Sequence, residues 1–164
     1  MNADTTGNRG WMLKMTLHDP LRRSLDPLQY RELTEKIIGI FYDVYNELGH
    51  GFLEHVYARS MEQALRAAGL HVAAEVPIAV WFRGFQVGDF KADLLVEDKV
   101  LLELKAARTI DAAFEKQILN YLRATEIETG LLLNFGNKSE FRRFAFENSR
   151  KRIRVYPRVS AAGK

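Results

Sequence analysis

Asp93, Glu103 and Lys105 are the three side chains whose types and spacing could do chemistry together, and all lie in FKADLLVEDKVLLELKA, Phe90 to Ala106. Phe90, Ala92, Leu94 and Val96 alternate with Lys91, Asp93 and Leu95. Val100, Leu102 and Leu104 likewise alternate with Leu101, Glu103 and Lys105, the period of two expected of strands. Glu97, Asp98 and Lys99 form the natural turn between them. With that loop Val96 faces Val100 and, counting back, Asp93 faces Glu103; opposed residues share one side of a sheet. Lys105, two residues beyond Glu103, shares that side. A loop one residue longer or shorter would turn Asp93 to the other face.

Opposed carboxylates on neighbouring strands repel, so a sheet that keeps them needs something to offset the repulsion. A divalent cation is the simplest answer. Two carboxylates with a backbone carbonyl or two suit a hard, oxygen-preferring ion such as Mg²⁺, which keeps several of its waters. The Lys105 ammonium could then orient a water or stabilise charge developing on a phosphate. On spacing alone a solvated E-x-K strand face is the commoner use of such residues.

The elements that must position this hairpin can be followed along the chain. Residues 1 to about 25 show no sustained period and are expected to form a mobile or loosely docked arm. Asp26-Pro27 reads as a helix start, and Leu33, Ile37, Ile40, Phe41, Val44 and Leu48 follow at helical spacing up to Gly49. After the hinge His50-Gly51 a second helix spans roughly Leu53 to Ala68, with Phe52, Val56, Met61 and Leu65 as apolar anchors. It carries Glu54 in its first turn, where an acid also simply complements the helix dipole. A strand from Glu75 to Phe82, a turn at Arg83-Gly84 and an extended stretch through Gly88 lead into the hairpin. Trp81 and Phe82 read as core or partner-facing aromatics.

Beyond the hairpin a helix runs from Ile110-Asp111 to about Thr125 and sets Gln117 and Tyr121, four apart, on one face. Such a pair serves ordinary packing unless the helix lies over the acidic hairpin, where both could hydrogen-bond the site or its substrate. GLLLNF, Gly130 to Phe135, suits a buried central strand; FRRFAF, Phe141 to Phe146, is another, and Ile153 to Tyr156 adds a short edge. Helices first, then strands, one helix and more strands predict an α/β fold with a mixed sheet.

Bulk properties exclude several classes. The 164 residues and 47% hydrophobic content fit one domain with a real core. With no cysteine, disulfide frameworks and thiolate zinc sites are ruled out, and the scattered histidines, His50 and His55 among them, form no metal-spaced pair. No apolar run reaches the ~18 residues of a membrane span and the start lacks a signal-peptide core, so a cytoplasmic protein is expected. Residues 137 to 164 carry nine Lys or Arg against two acids, whereas residues 1 to 136 carry fifteen against nineteen. Such a basic tail suits a phosphate backbone and equally suits solubility alone.

Taken together these residues resemble the PD-(D/E)XK, or restriction-endonuclease-like, superfamily, and within it the GxxExxY family, whose name is spelled by Gly51, Glu54 and Tyr57. LGHGFLEHVY, the KADLLV and ELKA pair, QILNYLRA and LLLNFG extend the likeness over about residues 28 to 146. The resemblance implies an αβββαβ core within a domain of residues 26 to 158, with 159 to 164 as a tail. It implies Asp93 and Glu103 as metal ligands, the Leu104 carbonyl as a further one, and Lys105 as the catalytic lysine. Glu54 looks like the first-helix acid that assists the metal, which would set the acidic and ammonium groups beneath that helix. Gln117 and Tyr121 match a Q-x-x-x-Y element. Ala92 stands where the superfamily name has proline.

The function so implied is a Mg²⁺-dependent nuclease, Mn²⁺ being an alternative ion, acting on nucleic acid, with DNA placed before RNA. The alternatives are a non-cleaving nucleic-acid-binding or adaptor domain that keeps the fold, and an interaction module with neither activity. Exposed aromatics leave a homodimer open.

Overall fold

The structure, a computed structural model, describes residues 30–152. The expected arm, the Asp26-Pro27 helix start, the Ile153 to Tyr156 strand and the C-terminal tail lie outside these residues. In chain order the described elements are α1 (Arg31–Leu48), α2 (Glu54–Ala67), β1 (Val72–Phe82), β2 (Phe85–Val96), β3 (Val100–Lys105), α3 (Ala112–Ala124), β4 (Thr129–Phe135) and β5 (Ser139–Ala145). A 3₁₀ turn, Asn148–Arg150, follows. The five strands form one mixed sheet in the order β1-β2-β3-β4-β5, in which only β3 and β4 run parallel. The fold is therefore α/β, with helices on both faces of the sheet.

Two cores result, one on each face. Ile37, Phe41 and Val44 of α1 and Tyr57, Met61 and Leu65 of α2 recur every three or four residues and so make one stripe per helix. Those stripes cover Leu102 and Leu104 of β3 and Leu131, Leu133 and Phe135 of β4. On the other face Ile118, Tyr121 and Leu122 of α3 cover Leu95, Leu101 and Leu132. Every residue of β4 is buried, as a central strand between two helical layers requires.

Phe52 was an expected anchor, yet it is 49% exposed and Tyr57 occupies the core in its place. The phenol is buried without cost to its hydroxyl, which donates to Gly49 O at 2.7 Å and accepts from Phe52 N at 3.2 Å. Its ring stacks on Phe135, 4.3 Å between centroids. Tyr57 thus ties together the loop between α1 and α2, where Gly51 takes a φ of 112° that a side chain would resist.

The strict alternation expected along β2 does not hold. Leu94 and Val96 join the core under α1 and α2, but Ala92 joins the core under α3, as Leu95 does. β1 changes face at the same level, with Val72 in the first core and Val76 and Ile78 in the second. Between them Glu75 adopts φ 49°, and the register passes from Ala74↔Leu94 to Val76↔Ala92 without pairing Glu75 to Asp93. A left-handed residue in one strand turns both strands over at Asp93.

Candidate active site

The β2–β3 turn fixes the geometry. Glu97 and Asp98 both take φ 54°, Lys99 N–H closes on Val96 O at 3.0 Å, and Val96 pairs with Val100 as the loop length predicts. Asp tolerates this conformation better than Glu does. Glu97 is held by a second pair of bonds, accepting from His71 N at 2.7 Å and donating its own N–H to His71 O at 2.8 Å.

From that turn the strands pair only as far as Leu94↔Leu102. Beyond it β2 continues against β1, and β3 continues against β4 to Lys105↔Asn134, so the sheet forks. Asp93 and Glu103 stand in the mouth of the fork, where each side chain replaces the backbone partner that the other strand has lost. Asp93 Oδ2 accepts from Leu104 N at 2.7 Å, and Glu103 Oε1 accepts from Asp93 N at 3.2 Å. Among the described residues Asp93 Oδ1 and Glu103 Oε2 accept no hydrogen bond, and Lys105 Nζ lies 3.9 Å from Glu103 Oε2.

The electrostatics follow from this crowding. Glu103 is 2% exposed. Burial, and next the charge of Asp93, push its carboxyl up to about 8, while Lys105 and the Asp93 N–H pull the other way. Burial also raises Asp93, opposed by the Leu104 N–H and by Lys105. Two acids that resist ionisation together, each with an oxygen to spare, form a donor set that suits a hard cation. Glu54 adds a weaker upward push on Glu103, but it is exposed. Among the described residues no group of three or more His, Cys, Asp or Glu lies close enough to hold a metal.

One expectation is corrected here. Leu102 and Leu104 face α1 and α2, so Glu103 and Lys105, which alternate with them, face α3. The acidic and ammonium groups therefore lie beneath the helix of Gln117 and Tyr121, with Lys105 Nζ 4.9 Å over the Phe114 ring. Glu54 opens α2, whose apolar stripe packs on the opposite face, yet its charge still reaches Glu103. The physical reason is the period of two, since a β3 row that serves the α1–α2 core cannot also carry the charges.

α3 lies over the site, which settles the choice that the spacing of Gln117 and Tyr121 leaves open. Asp111 caps it, accepting from Ala113 N at 2.9 Å. Gln117 Nε2 donates to Tyr121 OH at 2.7 Å, and Tyr121 also meets the Phe90 ring at 6.0 Å. Burial raises the Tyr121 phenol, opposed by the Gln117 bond and reinforced by the charges of Glu103 and Asp93.

Asn134 was read only as part of an apolar strand, yet it organises the chain just after Lys105. It is buried, accepts from Ala107 N at 2.9 Å and donates to Ala107 O at 2.8 Å. A polar residue inside the run LLLNF was the available signal, because a buried amide must find partners. Gly136 lets the two segments approach, for a Cβ there would run into Ala107 O.

A family model described as the PD-(D/E)XK nuclease superfamily matches residues 31–144. A search of curated proteins returned no match. Among solved structures, a protein designated SSO0001 is similar over 77% of this chain at 16% identity, with a TM-score of 0.46. The similar region spans 63% of that protein's length.

Proposed function

Because the chain belongs to the PD-(D/E)XK nuclease superfamily, we propose that it is a divalent-metal-dependent nuclease centred on Asp93, Glu103 and Lys105, and that it falls in the GxxExxY group. The observation that carries this reading is the fork, where the Asp93 carboxylate accepts from Leu104 N–H and the Glu103 carboxylate accepts from Asp93 N–H, leaving one oxygen of each acid uncommitted beside Lys105. A cation such as Mg²⁺ or Mn²⁺, held by Asp93 and Glu103 with the Leu104 carbonyl as a further donor, would supply charge to a phosphate and acidify water, and Glu54 at the start of α2 would assist through its charge, which already acts on Glu103.

The chain's own groups do the rest. Lys105 offers its ammonium to charge developing on the phosphate, and its ring contact with Phe114 holds it on the α3 side. Tyr121, with its phenol pushed upward, stays a hydrogen-bond donor near neutral pH, and Gln117 orients it toward substrate. Gly51 and Tyr57 shape the loop that presents Glu54. DNA is the polymer placed first.

The test is a cleavage panel of DNA and RNA with Mg²⁺, Mn²⁺ and EDTA. Wild type is expected to cut only with metal, while Asp93→Ala and Lys105→Ala stay folded and lose cutting. Metal-dependent cutting that survives both substitutions would overturn the mechanism.

A further inference from the structure

The face of α3 that turns away from the acidic fork borders a cavity of about 560 Å³. Lys116, Leu119, Asn120 and Arg123 line it from α3, and Phe146, Arg150 and Arg152 line it from the segment after β5. Four cations meet one aromatic ring there, and no acid lines the cavity among the described residues. Small-molecule sites are mostly apolar with a few polar groups. A rim this basic fits a polyanion instead.

The wall that carries the two C-terminal arginines is built, not loose. Phe146 N donates to Glu128 O at 2.8 Å, Asn148 N to Glu128 Oε2 at 2.9 Å, and Asn148 Nδ2 to Glu126 O at 3.1 Å. Lys151 anchors the far end, donating to Thr125 O at 2.7 Å and Ile127 O at 2.8 Å. Burial brings its amine down to about 8, opposed by the charges of Glu128 and Glu126. Lys151 thus serves as a strut, and its neighbours Arg150 and Arg152 are left exposed at the cavity. Arg150 lies 5.9 Å over the Phe146 ring, and Arg123 is steadied by a 3.3 Å bond to Asn120 Oδ1.

We infer that this groove is a second nucleic-acid contact, one that binds the phosphate backbone of a strand running past the fork. The identity of the polyanion rests on the nuclease reading above; the groove itself rests on the residues just named. Helical geometry joins the two sites, because successive residues of α3 are turned by about 100°. Gln117 and Tyr121 therefore look toward the fork while Lys116, Asn120 and Arg123 look toward the groove. Contacts there are to phosphates and carry no sequence information, so they set register and affinity.

The experiment measures anisotropy of a short fluorescent DNA duplex in EDTA across a salt series, alongside cleavage of the same duplex with Mn²⁺. Arg123→Ala/Arg150→Ala is expected to bind about tenfold or more weakly and to lose about two from the slope of log K against log salt. Arg123→Lys/Arg150→Lys is expected to bind as wild type, since phosphate contact asks for charge. Far-UV circular dichroism and melting confirm that each variant is folded. Unchanged binding by the folded alanine pair overturns the groove, as does a lysine pair as weak as the alanine pair or a wild type that binds no duplex at low salt. If wild type cuts while groove changes leave binding alone, the groove fails and the nuclease reading stands. If binding depends on the groove and nothing is cut, the groove stands and the catalytic reading fails.

Discussion

β3 carries two unlike rows of side chains. Leu102 and Leu104 point into the core under α1 and α2 and are fully buried. Glu103 and Lys105 alternate with them and point under α3, where Glu103 is almost as thoroughly enclosed and Lys105 largely so, but both are ionisable. The first row gains stability from removing apolar surface from water. Nothing comparable repays the second, because Glu103 is buried beside Asp93 and the Lys105 ammonium, 3.9 Å from Glu103 Oε2, offsets only part of that cost. One strand thus divides its duties by the period of two, with Val100, Leu102 and Leu104 holding one core and the opposite row passing from Leu101 in the second core to the strained electrostatics of Glu103 and Lys105. That division is what a site under load should look like, since functional positions are where stability is given up.

Substitutions in the two rows should separate cleanly. The largest effect expected is on turnover, where Lys105→Ala lowers cleavage by about 10³-fold with little change in melting temperature. Leu102→Ala should do the reverse, losing about 2–5 kcal/mol of stability in denaturant titration while the folded fraction keeps its turnover per molecule. If Leu102→Ala proved as harmless to stability as Lys105→Ala, the two rows would not differ as described.

Glu103 gives a sharper version. Its folded pKa, about 8, lies above the ordinary 4.5, so the group contributes stability that is fully present below pH 4.5 and is lost as pH rises through 8. In EDTA, wild type should therefore weaken between about pH 5 and 8, and Glu103→Gln should flatten that slope and be the more stable protein at pH 8, by about 1–3 kcal/mol. A wild type whose stability is level across that range would contradict the assignment. Smallest is Asn134→Ala, expected to cost about 1–3 kcal/mol because the Ala107 backbone loses both partners. Hydrogen exchange at Ala107 should report it first, ahead of any change in the leucine rows.

Much of this arrangement could be read from residue order, and the failures have physical causes. Helical spacing left open whether α3 covers the acids, a placement decided by the parallel pairing of β3 with β4, whereas the hairpin register was legible because turn length fixes it. The reversal at Asp93 was not, since nothing in the identity of Glu75 announces a positive φ. Tyr57 was read by its motif and missed as core, because a phenol is buried only where its hydroxyl finds a carbonyl, here Gly49 O. Glu54 was assigned to the same layer as the other charges because spacing within a helix cannot say which face of a sheet that helix covers. The fork was invisible, for the sequence does not show where two strands stop pairing.

The central claim is that Asp93 and Glu103 are kept together at the fork to share a divalent cation, and isothermal calorimetry with Mn²⁺ tests it most directly. Wild type should bind with measurable heat near neutral pH and release protons as Glu103 ionises, whereas Asp93→Ala should show neither. Identical titration curves for the two folded proteins would contradict it.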